Sequence, residues 1–100
     1  GDAGSAQLLI DPGRAGRNQI HLYTYDATGR PAALGESVRL ELSQPEAGIG
    51  PLTREPLRAG PSHFTLPDAD LVPAGRWTVE VHVRIDRFTE AEGTASLEIR

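Results

Sequence analysis

The 100-residue chain has no cysteine, no methionine and no lysine, and its aromatic residues amount to 5%. Without cysteine there is neither a disulfide framework nor a thiolate metal site. The missing cysteine fits either redox compartment. Without methionine there is no soft thioether of the kind Cu(I) prefers. All ten basic residues are arginines, spread from Arg14 to Arg100 in a chain of net charge −4. That scatter is not the clustered footprint of a nucleic-acid binder, and no nucleic-acid partner is expected. Arginine in place of every lysine points to a GC-rich genome. No apolar run approaches the ~20 residues of a membrane span. The opening GDAGSA lacks the apolar core of a signal peptide. Gly1 is expected to be a cloning remnant, and the chain a piece of a larger protein.

What is present is alternation. Ile20, Leu22 and Thr24 interleave with His21, Tyr23 and Tyr25. Val38, Leu40 and Leu42 interleave with Arg39 and Glu41, and Ala95, Leu97 and Ile99 with Ser96 and Glu98. The longest such run is Trp77, Val79, Val81, Val83 and Ile85, with Thr78, Glu80, His82 and Arg84 between them. Period two is the signature of strands with one buried and one wetted face. Shorter candidates are Gln7–Ile10, Leu52–Leu57 and His63–Leu66. Turn formers separate them: DPGRAGRN, DATGRP, QPEAGIGP, LRAGPS and PDADLVPAG. About seven strands at this spacing predict one all-β, immunoglobulin-like antiparallel sandwich over residues 1–100, with residues 1–5 a flexible lead-in. Trp77, Val79, Val81, Leu40, Leu42, Ile20, Leu22 and Phe64 share the expected core, with Trp77 at its centre as the largest apolar side chain.

No catalytic constellation stands out, and no enzyme is expected. There is no G-x-S-x-G elbow, and Ser62 and His63, as strand neighbours, point to opposite faces. Neither GIGP nor GRAGR has the helix, Lys and Ser/Thr of a phosphate loop. Asp68 and Asp70 fall in a segment that reads as a turn. The histidines are the only good nitrogen ligands. His21 and His63 have outward parity on the second and fifth strands, which neighbour each other in an immunoglobulin-type sheet. They are the candidate metal ligands, with a carboxylate or water to complete the set. Nitrogens more than ~5 Å apart would exclude a shared ion at metal–imidazole bond lengths. His82 belongs to the other sheet, and its plain reading is an exposed polar position. Tyr23 and Tyr25 beside His21 suit either a stabilising cross-strand row or a recognition patch.

The succession PGRAGRNQIHLYTYDATGRP, SVRLELSQPEAGIGPLTREPLRAGPSHF and LVPAGRWTVEVHVRIDRFTEA, covering most of residues 11 to 92, resembles a known pattern. It is similar to the C-terminal extracytoplasmic domain of copper-resistance D-type (CopD/YcnJ-like) membrane proteins and to the YtkA/FixH-like sandwiches. The marks are a P-G-x-x-G-x-N lead-in, a D-x-x-G-x-P turn, a G-I-G-P loop, a G-P-x-x-[FY] segment and a P-x-x-G-x-W-x-[VL] strand. The resemblance implies a soluble copper-resistance or copper-transport module outside the cytoplasmic membrane. It would be tethered by transmembrane segments of the same polypeptide, which would be one partner. A periplasmic or extracellular copper-handling protein would be another. It gives a reason to ask about Cu(II) at His21 and His63. Some relatives carry a Met- and His-bearing loop near the middle; QPEAGIGPL has neither residue, so the resemblance does not extend copper ligation to that loop. The other reading is an interaction or spacer module with no metal role.

Overall fold

The computed structural model describes residues 4–100, and these fold as two four-stranded antiparallel sheets packed face to face. The strands are β1 (Ser5–Asp11), β2 (Gly16–Tyr25), β3 (Ser37–Gln44), β4 (Ile49–Arg54), β5 (Leu57–Gly60), β6 (His63–Leu71), β7 (Gly75–Arg84) and β8 (Glu90–Ile99). One sheet runs β1-β2-β6-β5 and the other β4-β3-β7-β8. The only helix among the described residues is one 3-10 turn, Pro45–Ala47, and none is long and apolar enough to cross a membrane.

The alternating apolar residues form the layer between the sheets. Ile20 and Leu22 on β2, Val38, Leu40 and Leu42 on β3, Phe64 and Leu66 on β6, and Trp77 to Val83 in steps of two on β7 are all buried. Trp77 is 1% exposed, and its indole nitrogen donates to the Pro73 carbonyl at 3.0 Å. Its one polar atom is therefore satisfied inside the apolar layer, as burial of an indole requires.

Three expectations need correction. The strands number eight rather than seven, because the segment expected as one strand over Leu52–Leu57 is two. β4 ends at Arg54, Glu55 and Pro56 cross between the sheets, and β5 begins at Leu57 on the other side. Proline supplies no ladder donor, which suits Pro56 to the point where the chain passes from one sheet to the other. Second, PDADL is not a turn: β6 continues through it, with Ala69 and Leu71 buried and Asp68 and Asp70 facing water. Asn18 pairs with Ala69 and Ile20 with Leu66, so Pro67 and Asp68 together oppose Gln19. Pro67 thus sits in a bulge, where a missing N–H is tolerated. Third, of the flexible lead-in expected over 1–5, residues 1–3 lie outside the described residues, while Ser5 already pairs with Tyr25.

Asn18 fixes the loop between β1 and β2. It is buried; its Oδ1 accepts from the Gly13 N–H at 2.7 Å, and its Nδ2 donates to the carbonyls of Arg14 and Gly16 at 2.9 Å each. Gly75 lies against Gln44, and a Cβ there would run into the Gln44 amide. The demand for glycine comes from the backbone, whose φ of +132° is outside the range of other residues, since the Gln44 amide is the movable end of a side chain.

The turn after β2 is held by Asp26, whose Oδ1 accepts from the Thr28 hydroxyl at 2.6 Å and from the N–H groups of Thr28 and Arg30 at 2.9 and 3.1 Å. The Thr28 hydroxyl bond, more than any other contact, lowers the Asp26 pKa. Asp86 is lowered in the β7–β8 hairpin, chiefly by the Phe88 N–H.

Two outcomes follow. Trp77→Ala should lose ~3–5 kcal/mol in urea unfolding. Asn18→Ala, which strands buried backbone groups, should lose about 1–3 kcal/mol. A Trp77→Ala loss below 1 kcal/mol would contradict the core described. For the two aspartates the folded pKa is depressed, so their contribution to stability is present above the ordinary carboxylate value and disappears as pH falls through the folded value. The urea midpoint should therefore drop between about pH 5 and pH 2. In Asp26→Asn with Asp86→Asn that drop should be shallower.

Candidate functional site

Even-numbered residues of β2 from Asn18 to Thr24 are buried, which turns His21, Tyr23 and Tyr25 to the outer face of the first sheet. Register then sets their neighbours. His21 stands between Leu9 on β1 and Thr65 on β6, and Tyr23 between Gln7 and His63. His63 opens β6 opposite in parity to buried Phe64. On its far side it meets Gly60 of β5, which has no side chain to lay across the imidazole.

The three rings form a stack. Tyr23 and His63 lie 4.4 Å apart between centroids at an interplanar angle of 11°, and His21 and His63 5.3 Å apart at 29°. His21 Nδ1 approaches His63 Nε2 to 3.1 Å. The expected neighbours are thus adjacent, although the partner strand is the sixth rather than the fifth because of the extra strand. Tyr23 joins them as a ring wall, while the Tyr25 hydroxyl turns away to donate to Gln7 Oε1 at 3.1 Å.

The nitrogen separation fits two states. One neutral ring donating N–H to the other makes an ordinary hydrogen bond at this distance. Two nitrogens bonded to one ion at ~2.0–2.1 Å stand ~2.9 Å apart at a right angle and ~3.3 Å apart at the tetrahedral angle, which brackets the observed separation. Among the described residues no carboxylate joins this pair in a three-ligand group. The pair offers two imidazoles and leaves the other positions of an ion to water or to a ligand from outside.

The other residues singled out in the sequence lie elsewhere. Asp68 faces water and pairs with Arg17 at 3.3 Å. His82 is on the outer face of the opposite sheet, across the core from His21 and His63. It is not an exposed polar position: it is 8% exposed, enclosed by charged residues of β3, β7 and β8. Sequence reasoning missed this cluster. Its signal was same-face acids two residues apart, Glu80 before His82 and Glu90 before Glu92, but their convergence depends on cross-strand register.

Compared with known proteins, the chain matches no family model, no curated protein and no solved structure.

Proposed function

We propose that the chain is a non-catalytic, extracytoplasmic accessory domain of a copper-resistance or copper-transport membrane protein, one that handles Cu(II) weakly through His21 and His63. The observation that carries the reading is the 3.1 Å approach of His21 Nδ1 to His63 Nε2, a separation suited to two ligands of one ion. The sequence resemblance to copper-resistance D-type domains supplies the metal. Imidazole without thiolate or thioether favours the cupric state. A two-imidazole set with no described carboxylate beside it suits a site that takes up and releases its ion, since structural sites close with four protein ligands.

The same face supports docking. Leu9 and Leu57, 48% and 63% exposed, flank His21 and Thr65 in one row across β1, β2, β6 and β5. A partner seated there, either the membrane-embedded part of the same polypeptide or a copper-handling protein, would cover both leucines and could supply a further ligand. The competing reading, an immunoglobulin-like interaction or spacer module without metal, is favoured by the histidine pair being satisfied as a plain hydrogen bond and by the Tyr23 stack.

A Cu(II) titration separates the two. Selective broadening of the 21–23 and 63–65 amide signals, with nitrogen hyperfine coupling from two imidazoles in the EPR spectrum, is the expected result. His21→Gln and His63→Gln should each weaken binding at least tenfold. Broadening spread over surface carboxylates, or unchanged in both variants, would leave the spacer reading.

A further inference from the structure

The outer face of the second sheet carries a separate arrangement. His82 sits at its middle on β7, opposite Arg39 of β3 on one side and Glu92 of β8 on the other. One pair along, Glu41 and Glu80 are directly opposite each other, and on the other side Arg84 faces Glu90. Like charges in direct opposition destabilise a sheet. Glu90 has its own cations, with Arg39 and Arg84 each at 3.5 Å. Glu41 and Glu80 have no arginine partner among the described residues.

The imidazole is oriented by its other nitrogen. Nδ1 lies 3.1 Å from Glu90 Oε1, in hydrogen-bonding geometry, and 3.3 Å from Glu92 Oε1. With Nδ1 donating to that carboxylate, Nε2 is the nitrogen left to act as a ligand, as in carboxylate–histidine–metal arrangements. Nε2 is buried with its 8% exposed ring and has no hydrogen-bond partner. Glu41 Oε2 is only 2.7 Å away but out of line for accepting a hydrogen bond from it. Two ligands at right angles on one ion, each ~2.0–2.1 Å from it, stand ~2.9 Å apart and need not point at each other. The ligand atoms of Glu41, Glu80 and His82 all lie within 4.8 Å of one another.

We propose that His82 Nε2 with the carboxylates of Glu41 and Glu80 forms a binding site for a divalent first-row cation of the Zn(II) or Mn(II) kind. One imidazole and two carboxylates make a mixed nitrogen and oxygen donor set, which accepts borderline and hard divalent ions alike, and Zn(II) and Mn(II) are its probes. The ion replaces the repulsion between Glu41 and Glu80 by attraction to both. Glu90 holds the ring, and Arg39 and Arg84 keep Glu90 engaged away from the ion. The site lies across the core from His21 and His63, so it stands whether or not that pair binds copper.

The experiment uses the 100-residue chain carrying His21→Gln and His63→Gln, so that the other face is silent. Zn(II) is followed by calorimetry and Mn(II) by relaxation of amide signals. Binding of one equivalent, with Mn(II) broadening centred on residues 41, 80 and 82, is expected. Glu80→Gln, an exposed substitution that leaves the core untouched, should weaken Zn(II) at least tenfold and raise the apo melting temperature by relieving repulsion. Glu41→Gln should weaken Zn(II) likewise. No binding in the background protein, or binding unchanged by Glu80→Gln and Glu41→Gln, overturns the site. Either result leaves His82 as a ring held among its glutamates with no ion.

Discussion

Trp77, Val79, Val81 and Val83 are committed to the space between the sheets, and that single commitment orders most of the molecule. A strand has two faces, and a slip by one residue exchanges them. With the odd residues of β7 fixed inward by the largest side chain in the chain, Glu80 and His82 have no choice but the outer face. The partners of β7 inherit the constraint through the ladder. Leu40 opposite Val81 and Leu42 opposite Val79 place Arg39 and Glu41 beside His82 and Glu80. On the first sheet Ile20, Leu22 and Phe64 play the same part, and the His21–His63 stack stands on their reverse side. The apolar layer therefore positions both polar faces while touching neither.

How much of this was legible follows from what each feature needs. A one-sided strand announces itself by alternation alone, so the core residues and the sandwich could be read directly. His21 and His63 could be paired by parity plus a standard strand order. Asp68 and Asp70 misled because aspartate and proline favour turns, and that local preference hid the alternation of PDADL, in which Ala69 and Leu71 are the buried members. The split of β4 from β5 rests on a two-residue crossing at Glu55 and Pro56, where the proline was the one mark against a continuous strand. The His82 cluster needed the register of three strands at once. Sequence spacing does not encode which glutamate faces which.

The two outer faces differ in character because they solve different problems. That of the first sheet is aromatic and nearly uncharged around its histidines, so ring stacking holds them. That of the second is a field of glutamates and arginines, where orientation comes from charge and hydrogen bonds. The imidazoles accordingly sit in different company: the stacked pair has ring neighbours, the enclosed His82 chiefly carboxylate oxygens.

The ladder directions carry a mechanical meaning. β1 starts at Ser5, beside Tyr25 at one pole, while Arg100 ends at the other, its N–H bonded to the Gly13 carbonyl at 2.9 Å and its carbonyl accepting from Ala15 at 2.8 Å. The longest dimension of the molecule is 35 Å. A pull between Ser5 and Arg100 runs along the strands, entering through β1 on one sheet and leaving through β8 on the other. The β1–β2 and β7–β8 hydrogen bonds are then loaded together in shear rather than opened one after another, and the layer around Trp77 must transmit force from sheet to sheet. Under tension this sandwich is a stiff link in series.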